Sequence, residues 1–469
     1  MLKWGEVIRL MKIYLTNSLT KNKEEFKSIK KKKVGLYTCG PTVYDYAHLG
    51  NLMSYIIWDI LKRFLISQGY QVKHIMNITD VGHLVSDADE GEDKMEKGSR
   101  KLKKTAWEIA DYFIKIFKEN LKELNIIKPE KFIRATKTIK EQIAFLKILE
   151  KKGYLYKISD GLYFDTSLID NYGLLANLNK VALKEGARVE KNKEKKKKTD
   201  FAVWKFSKQK KKRDMEWSSP WGKGFPGWHL ECSVMSRMAL GDTFDIHTGG
   251  IEHLTIHHVN EMAQSEAVTG KRQANYWLHN NHLKFNNSKI SKSKGGFLSL
   301  VDLKKKGYRA HDFRFLVLQT HYKKSLNFTW KSLEAAKKGL ENIIKEIAFY
   351  DKPLVGCSEL EGEFYKAMSD DLNTSQALAI LQKVIDSNYS SSAKLESIFK
   401  IDEVLGLNLK VLRKRSLDIP KKAKEILKKR NIARKNRDWK LSDKLRKDLQ
   451  DINIEVKDSK EGQKAIKIL

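Results

Sequence analysis

The segment VGLYT (34–38) is a short, mostly apolar run with lysines before it and Cys39-Gly40-Pro41 after it. Such a run predicts a strand buried on both faces. The next apolar pattern has a different period. Leu52, Ile56, Ile60 and Phe64 make one row at four-residue spacing, and Met53, Ile57, Leu61 and Leu65 make a second beside it. Two adjacent rows form one wide helix face. Gly69 stops that helix, and QVKHIMNIT (71–79) predicts a second strand. Strand, turn, helix and strand in this order make a βαβ unit of a parallel sheet. The loop at 40–48 therefore lies at the carboxyl end of a strand, where open α/β sheets bind ligands.

Residues 105–152 carry helical periodicity throughout, and a mixed stretch follows that ends in KNKEKKKKTD (191–200). This region is expected to be an insertion, with the sheet resuming near FAVWKF (201–206) and running through FDIHTGG (244–250). After Trp330 the chain turns to periodic, lysine-rich helices with few glycines. The predicted class is α/β: a Rossmann-like parallel-sheet domain split by an insertion, then an α-helical bundle and a small C-terminal module. The boundaries expected are 12–115 and 201–276 for the two sheet halves, 116–200 for the connective insertion, 277–330 for the region of the KISKS loop (289–293) and stem contact, 331–415 for the bundle and 416–469 for the module. No internal repeat is visible.

Charge adds a partner to this picture. Of 469 residues, 91 are Lys or Arg and 58 are Asp or Glu, a formal charge of +33. That excess favours a polyanion, most simply nucleic acid, over a lysine-biased composition alone. Three cysteines, Cys39, Cys232 and Cys357, are too few for a disulfide framework and point to a reducing cytosol. The start, MLKWGEVIRLMKIYL, lacks the apolar core of a signal peptide, and no uncharged apolar run of 18 residues occurs. A soluble, cytoplasmic, multidomain protein without a membrane span is expected.

Two groups of residues carry chemistry. In HHVNEMAQSEA (257–267), His257 and Glu261 are four apart and share a helix face; Cys232 lies 25 positions before His257, and Cys39 ends the first strand. Two thiolates, an imidazole and a carboxylate suit Zn²⁺. Each residue alone has a structural reading, and a lone buried cysteine is usually a small hydrophobe. His258 is expected to be structural, His253 and His229 are weaker ligand candidates, and Cys357 is assigned no role. The second group is a pair of motifs. His48-Leu49-Gly50-Asn51 opens the first long helix, a place suited to phosphate. Lys289-Ile290-Ser291-Lys292-Ser293 offers two ammonium groups and two hydroxyls to charge developing on a triphosphate.

In this order, after a βαβ start, the two motifs resemble the HIGH and KMSKS sequences of class I aminoacyl-tRNA synthetases. TCGPTVYDYAHLGN, NITDVGHLVSDADEGEDKMEKG, FPGWHLECS, DIHTGGIEHLTIHHVNEMAQSEA, NYWLH and KISKS together resemble the cysteinyl-tRNA synthetase family. The likeness runs from about Lys12 nearly to the end, which makes Met11 an alternative start. It implies that Cys39, Cys232, His257 and Glu261 hold zinc and that Thr79 and Trp228 line an amino-acid pocket. His48, Gly50 and Asn51 would belong to the first ATP motif, and Lys289 and Lys292 to the second. The implied ligands are L-cysteine, ATP with Mg²⁺, and tRNA(Cys), handled by a monomer.

Some positions depart from the family pattern. Ile290 replaces a methionine, Lys294-Gly295-Gly296 replaces Leu-Gly-Asn, and the tail EGQKAIKIL lacks the usual tryptophan and arginine. Two rivals share parts of the resemblance: a cysteine:amino-sugar ligase of the mycothiol pathway, and a non-catalytic RNA-binding paralogue. The basic C-terminus argues against the first, and the intact metal and ATP motifs argue against the second.

Overall fold

Strand formation at the start follows the apolar runs. The computed structural model describes residues 11–82, 104–176, 193–207, 213–286, 288–289, 298–459 and 462–468. A hairpin of β1 (Tyr14–Thr16) and β2 (Lys23–Glu25) leads into β3 (Lys33–Thr38), α1 (Leu49–Ser67) and β4 (Gln71–Ile78). Both predicted rows of α1 are buried, Leu52, Ile56, Leu61, Phe64 and Leu65 completely. The chain continues through α2 (Ala106–Glu123), β5 (Lys131–Arg134) and α3 (Ile139–Lys151). Here the expectation of unbroken helix over 105–152 fails, because β5 pairs parallel with β4 from Ile75↔Lys131 to Ile78↔Arg134. Four residues are too few to disturb a helical periodicity, although Pro129 just before them disfavours helix.

A second correction concerns FAVWKF. The strands β6 (Leu155–Ile158), β7 (Gly161–Phe164), β8 (Phe201–Phe206) and β9 (Gly224–Pro226) form their own four-stranded antiparallel sheet. So 201–206 does not rejoin the parallel sheet; Gly161 and Leu162 pair antiparallel with Lys205 and Trp204. An apolar run specifies burial on both faces and says nothing of its neighbour's direction. Phe164, Phe201, Val203 and Trp204 pack on Leu146 and Leu149 of α3, on Leu230 and Val234 of α4 (Trp228–Leu240), and on Ala263 and Ala267 of α6 (His257–Thr269). Each such side chain, fully buried, contributes about 1.5–3 kcal/mol. The inserted sheet thereby braces the two helices that carry most of the candidate ligands.

The parallel sheet resumes at β10 (Phe244–Gly250), followed by the short α5 (Ile251–Leu254), α6 and β11 (Ala274–Asn280). Its order is β11-β10-β3-β4-β5, every neighbouring pair parallel. The chain builds outward from β3 in one direction through β4 and β5, then returns to build in the other through β10 and β11. The carboxyl ends of β3 and β10 flank the resulting switch point, the preferred ligand crevice of open α/β sheets. A three-stranded sheet of β12 (Leu283–Phe285), β13 (Ser288–Lys289) and β14 (Leu326–Phe328) follows, with α7 (Leu300–Lys305) and α8 (Ala310–Leu318) between β13 and β14.

The chain divides into two compact units. The first runs to Leu303 and takes in Tyr322–Asn327 and Ser369–Leu372. The second holds α8 and the later helices α9 (Trp330–Ala348), α10 (Ser358–Ser369) over most of its length, α11 (Thr374–Asp386), α12 (Ser391–Leu405) and α13 (Leu409–Ser416). Arg413 on α13 donates to the Ile347 and Tyr350 carbonyls at 2.7 and 2.6 Å, closing the C-terminal end of α9 with a cation. The chain ends in α14 (Lys421–Lys435), α15 (Trp439–Asp451) and the hairpin β15 (Ile454–Ser459) and β16 (Gly462–Lys467). Ile419, Ala423, Leu449, Ile454 and Val456 make a small core there. Beside it, buried Arg430 holds Asp458 at 2.8 Å. Among the described residues no helix is long and apolar enough to cross a membrane.

Candidate active site at the switch point of the parallel sheet

Three elements converge where the strand order reverses. Cys39 leaves the end of β3, and its backbone N–H donates to the Thr248 carbonyl of β10 at 3.1 Å. Cys232 lies one turn into α4 and is 1% exposed. Gly249 and Gly250 end β10, α5 makes a single turn, and α6 then opens on His257. Four-residue spacing on α6 sets His257 Nε2 3.0 Å from Glu261 Oε1. All four residues proposed as ligands from the sequence are buried, and their donor atoms lie within 4.8 Å of one another.

A second donor set shares Cys39 and Glu261 but adds His247 and His258. Glu261 divides its two oxygens between the sets. Oε1 faces His257, whereas Oε2 accepts from His247 Nε2 at 2.9 Å. An ion held by Cys39, Cys232, His257 and Oε1 would leave His247 as the outer partner of the carboxylate. His229 stands in the same relation to His257, Nδ1 to Nδ1 at 3.1 Å. His258 Nε2 lies 3.2 Å from Cys39 Sγ, and its Nδ1 is 2.7 Å from His279. His258 thus supports the cluster from behind. His247 and His279 escaped the sequence reading because a histidine inside a fully buried strand has no spacing signature; its position beside Gly249-Gly250 was the available signal.

The electrostatics ask for a cation. Burial first, then neighbouring Cys232, pushes the Cys39 thiol up. For Cys232 burial acts upward too, but hydrogen bonding from Cys39 and the charge of His257 outweigh it and lower the pKa. Burial would depress His257, yet Glu261 and Cys232 raise it to about 10. Glu261 is driven low against its burial by His247 and His257. Buried sulfur, carboxylate and imidazole donors thus face one another within 4.8 Å, an arrangement that a bound cation would satisfy. Two soft sulfurs, one imidazole and one carboxylate favour Zn²⁺ over the oxygen-seeking Mg²⁺ or Ca²⁺. The residues fit such an ion.

Of the remaining candidates, Trp228 opens α4 with its ring 4.5 Å from that of His257. Thr79 follows β4, is 1% exposed, and donates its hydroxyl to Glu231 Oε2 at 2.9 Å. His48 is the N-cap of α1, and its Nδ1 accepts from the Asn51 N–H at 3.2 Å. Gly50 allows this: a Cβ there would stand 3.0 Å from His48 Nδ1. Within the second motif, Lys289 pairs in the β12–β13 hairpin with Lys284. Lys292 lies outside the described residues.

Comparison with known proteins bears on the same segments. Residues 25–338 match the model of the tRNA synthetases class I (C) catalytic domain, 363–410 the DALR domain, and 416–464 the cysteinyl-tRNA ligase anticodon binding domain. The chain is 44% identical over 456 residues to cysteine–tRNA ligase 1 of Burkholderia lata, covering 97% of each. It is 41% identical to the cysteine–tRNA ligase of Treponema denticola, over 96% of this chain and 98% of that one. Among solved structures, methionyl-tRNA synthetase of Mycobacterium tuberculosis bound by methionyl-adenylate superposes with a TM-score of 0.55 at 12% identity, covering 83% of this chain and 95% of that one. That likeness speaks to fold alone.

Proposed function

The chain belongs to the cysteine–tRNA ligase family of class I tRNA synthetases, and from that membership we propose that it activates L-cysteine with ATP and transfers it to the 3′-terminal adenosine of tRNA(Cys). The observation that carries the amino-acid choice is the buried set of Cys39, Cys232, His257 and Glu261 at the switch point.

Selectivity is a physical problem here. Serine and alanine differ from cysteine only at the side-chain end, and shape in an apolar pocket is worth about 1–3 kcal/mol per methylene. When bound, Zn²⁺ supplies a soft contact that a thiolate satisfies and a hydroxyl or methyl does not. Cys39, Cys232, His257 and Glu261 would hold it, and Thr79 and Trp228 would line the pocket around the amino acid. The turn at Gly40-Pro41 then redirects the chain from Cys39 toward His48, so one loop serves both cysteine and ATP.

In the first step the cysteine carboxylate attacks the α-phosphate and displaces pyrophosphate, giving cysteinyl-adenylate. His48 at the N-terminus of α1 and Lys292 in the second motif stabilise negative charge on the phosphates, with Gly50, Asn51 and Lys289 completing the nucleotide contacts. Mg²⁺ accompanies ATP as its counter-cation. In the second step the 2′-hydroxyl of the terminal adenosine takes the cysteinyl group and AMP leaves. The helices at 331–415 and the module at 416–469 dock the tRNA through phosphate contacts and stacking on unpaired bases. The working form in this reading is a cytoplasmic monomer. A cysteine:amino-sugar ligase would have no use for the anticodon-binding match at 416–464.

The test is ATP–pyrophosphate exchange across the twenty amino acids, with zinc content measured on the same sample. Exchange with cysteine alone in zinc-loaded protein is expected. Equal exchange with serine, or cysteine-specific exchange in zinc-free protein, would overturn the reading.

A further inference from the structure

Cys39 and Cys232 come from different elements, 193 positions apart, so chain connectivity does not set the distance between their sulfurs. A buried hydrogen-bond chain joins their immediate neighbours. The Gly40 N–H donates to Asn77 Oδ1 at 2.7 Å. That contact fixes the orientation of the amide, whose Nδ2 donates to Thr79 Oγ1 at 3.2 Å. The Thr79 hydroxyl donates in turn to Glu231 Oε2 at 2.9 Å. Gly40 follows Cys39 directly and Glu231 directly precedes Cys232. Every donor points the same way, toward a carboxylate, so each bond polarises the next and the last is charge-assisted.

The middle of this chain is held from several sides. The Thr79 N–H donates to the Pro41 carbonyl at 3.0 Å, and the Val43 N–H to the Thr79 carbonyl at 3.1 Å. Next in sequence, Asp80 accepts from Arg134 at 2.5 Å and from the Thr136 N–H at 2.9 Å, tying the end of β4 to the segment that contains β5. At the other end, a Cβ on Gly40 would lie 1.8 Å from the Asn77 carbonyl oxygen, so the chain after Cys39 is pressed directly against β4. Asn77, Thr79 and Glu231 are at most 2% exposed.

We propose that Asn77, Thr79 and Glu231 are positioning residues that clamp the two sulfurs of the metal centre at their working separation. This rests on the metal-holding reading given under Proposed function. It gives Thr79 a role exerted through Glu231 on Cys232, in addition to any contact with the amino acid.

The experiment measures zinc affinity of the full chain by competition with a chromophoric chelator, for wild type, Thr79→Val and Thr79→Ser. Thr79→Val keeps the shape but removes the donor, and should weaken zinc by up to about 10-fold, at the low end of the about 10–100-fold loss on removing a direct partner of a ligand, because Thr79 acts one step further out. Thr79→Ser should retain wild-type affinity. Chelator-treated Thr79→Val should still unfold in one cooperative transition, shifted only by the lost buried hydrogen bonds, which separates a loss of metal positioning from a loss of folding. Should Thr79→Val fail to fold, Glu231→Gln tests the same link and should weaken zinc in the same direction. Unchanged zinc affinity would overturn the clamp, including the case where only the KM for cysteine rises, which would make Thr79 a substrate contact alone. Wild-type protein that binds no zinc would instead overturn the underlying metal reading.

Discussion

Acid sensitivity of the parallel sheet should trace in good part to His74, a buried histidine outside the proposed chemistry. Its Nε2 lies 2.9 Å from Thr38 Oγ1, and Thr38 Oγ1 lies 2.8 Å from Thr248 Oγ1, a chain across β4, β3 and β10. Proton positions follow by elimination. Thr248 donates to the Tyr37 carbonyl at 3.3 Å, so Thr38 donates to Thr248 and His74 Nε2 carries the proton given to Thr38. Nδ1 is then a bare lone pair, buried with no hydrogen-bond partner among the described residues. Protonating it places a charge in the core with no acceptor for its hydrogen among those residues. Burial, aided by nearby Lys62 and opposed by Asp59, lowers its pKa from 6.5 to about 3.

The sign follows from proton counting. Between about pH 3 and 6.5 the unfolded chain binds the proton and the folded one does not, so stability falls as pH drops through 6.5 and levels off only below about 3. The loss from this one group is about 2 kcal/mol at pH 5 and about 3 kcal/mol at pH 4. Urea unfolding of wild type and His74→Phe at pH 7, 6 and 5 reads it. The variant should be less stable at pH 7, by about 1–2 kcal/mol for the lost bond to Thr38. Between pH 7 and pH 5 it should lose about 2 kcal/mol less than wild type, so the two profiles converge. Other buried histidines act on both proteins alike and cancel in that comparison. Parallel profiles with a constant offset would refute the reasoning, since His74 would then titrate equally folded and unfolded.

Cys232→Ser should lose both zinc and cysteine-dependent pyrophosphate exchange; a variant that retains full zinc would remove Cys232 from the ligand set. Lys292→Ala should lower the adenylation rate far more than it weakens ATP, and a pure rise in the KM for ATP would show that its charge acts on the ground state. Asp458→Ala should open the C-terminal module locally, because it leaves Arg430, 1% exposed, with its charge unneutralised there. The loss is about 3 kcal/mol at most, as Gln463 still accepts from Arg430 at 2.7 Å, and hydrogen exchange of β15 and β16 should rise accordingly. Unaltered protection of that hairpin would show that Arg430 needs no carboxylate there, with Gln463 and the bond from Arg446 to the Val456 carbonyl at 3.3 Å sufficient to hold it.

Local physics is what the sequence determined by itself. The four-residue rows of α1, the buried runs of β3 and β4 and the i, i+4 pair on α6 each depend on contacts within a few residues, and each was legible as a pattern. The donor types at Cys39, Cys232, His257 and Glu261 were legible too, since ligand chemistry is a property of the residue and resemblance supplied the grouping. Only the tertiary structure decided which way FAVWKF pairs, that KFIR is a strand, and which face of Glu261 meets His247. It also decided that Asn77, Thr79 and Glu231 link the flanks of two cysteines 193 positions apart. Strand direction and hydrogen-bond partners across such distances are properties of the packed sheet, where long-range pairing competes with every alternative neighbour. A one-dimensional pattern of apolar and polar residues records that a side chain is buried, but not what it is buried against.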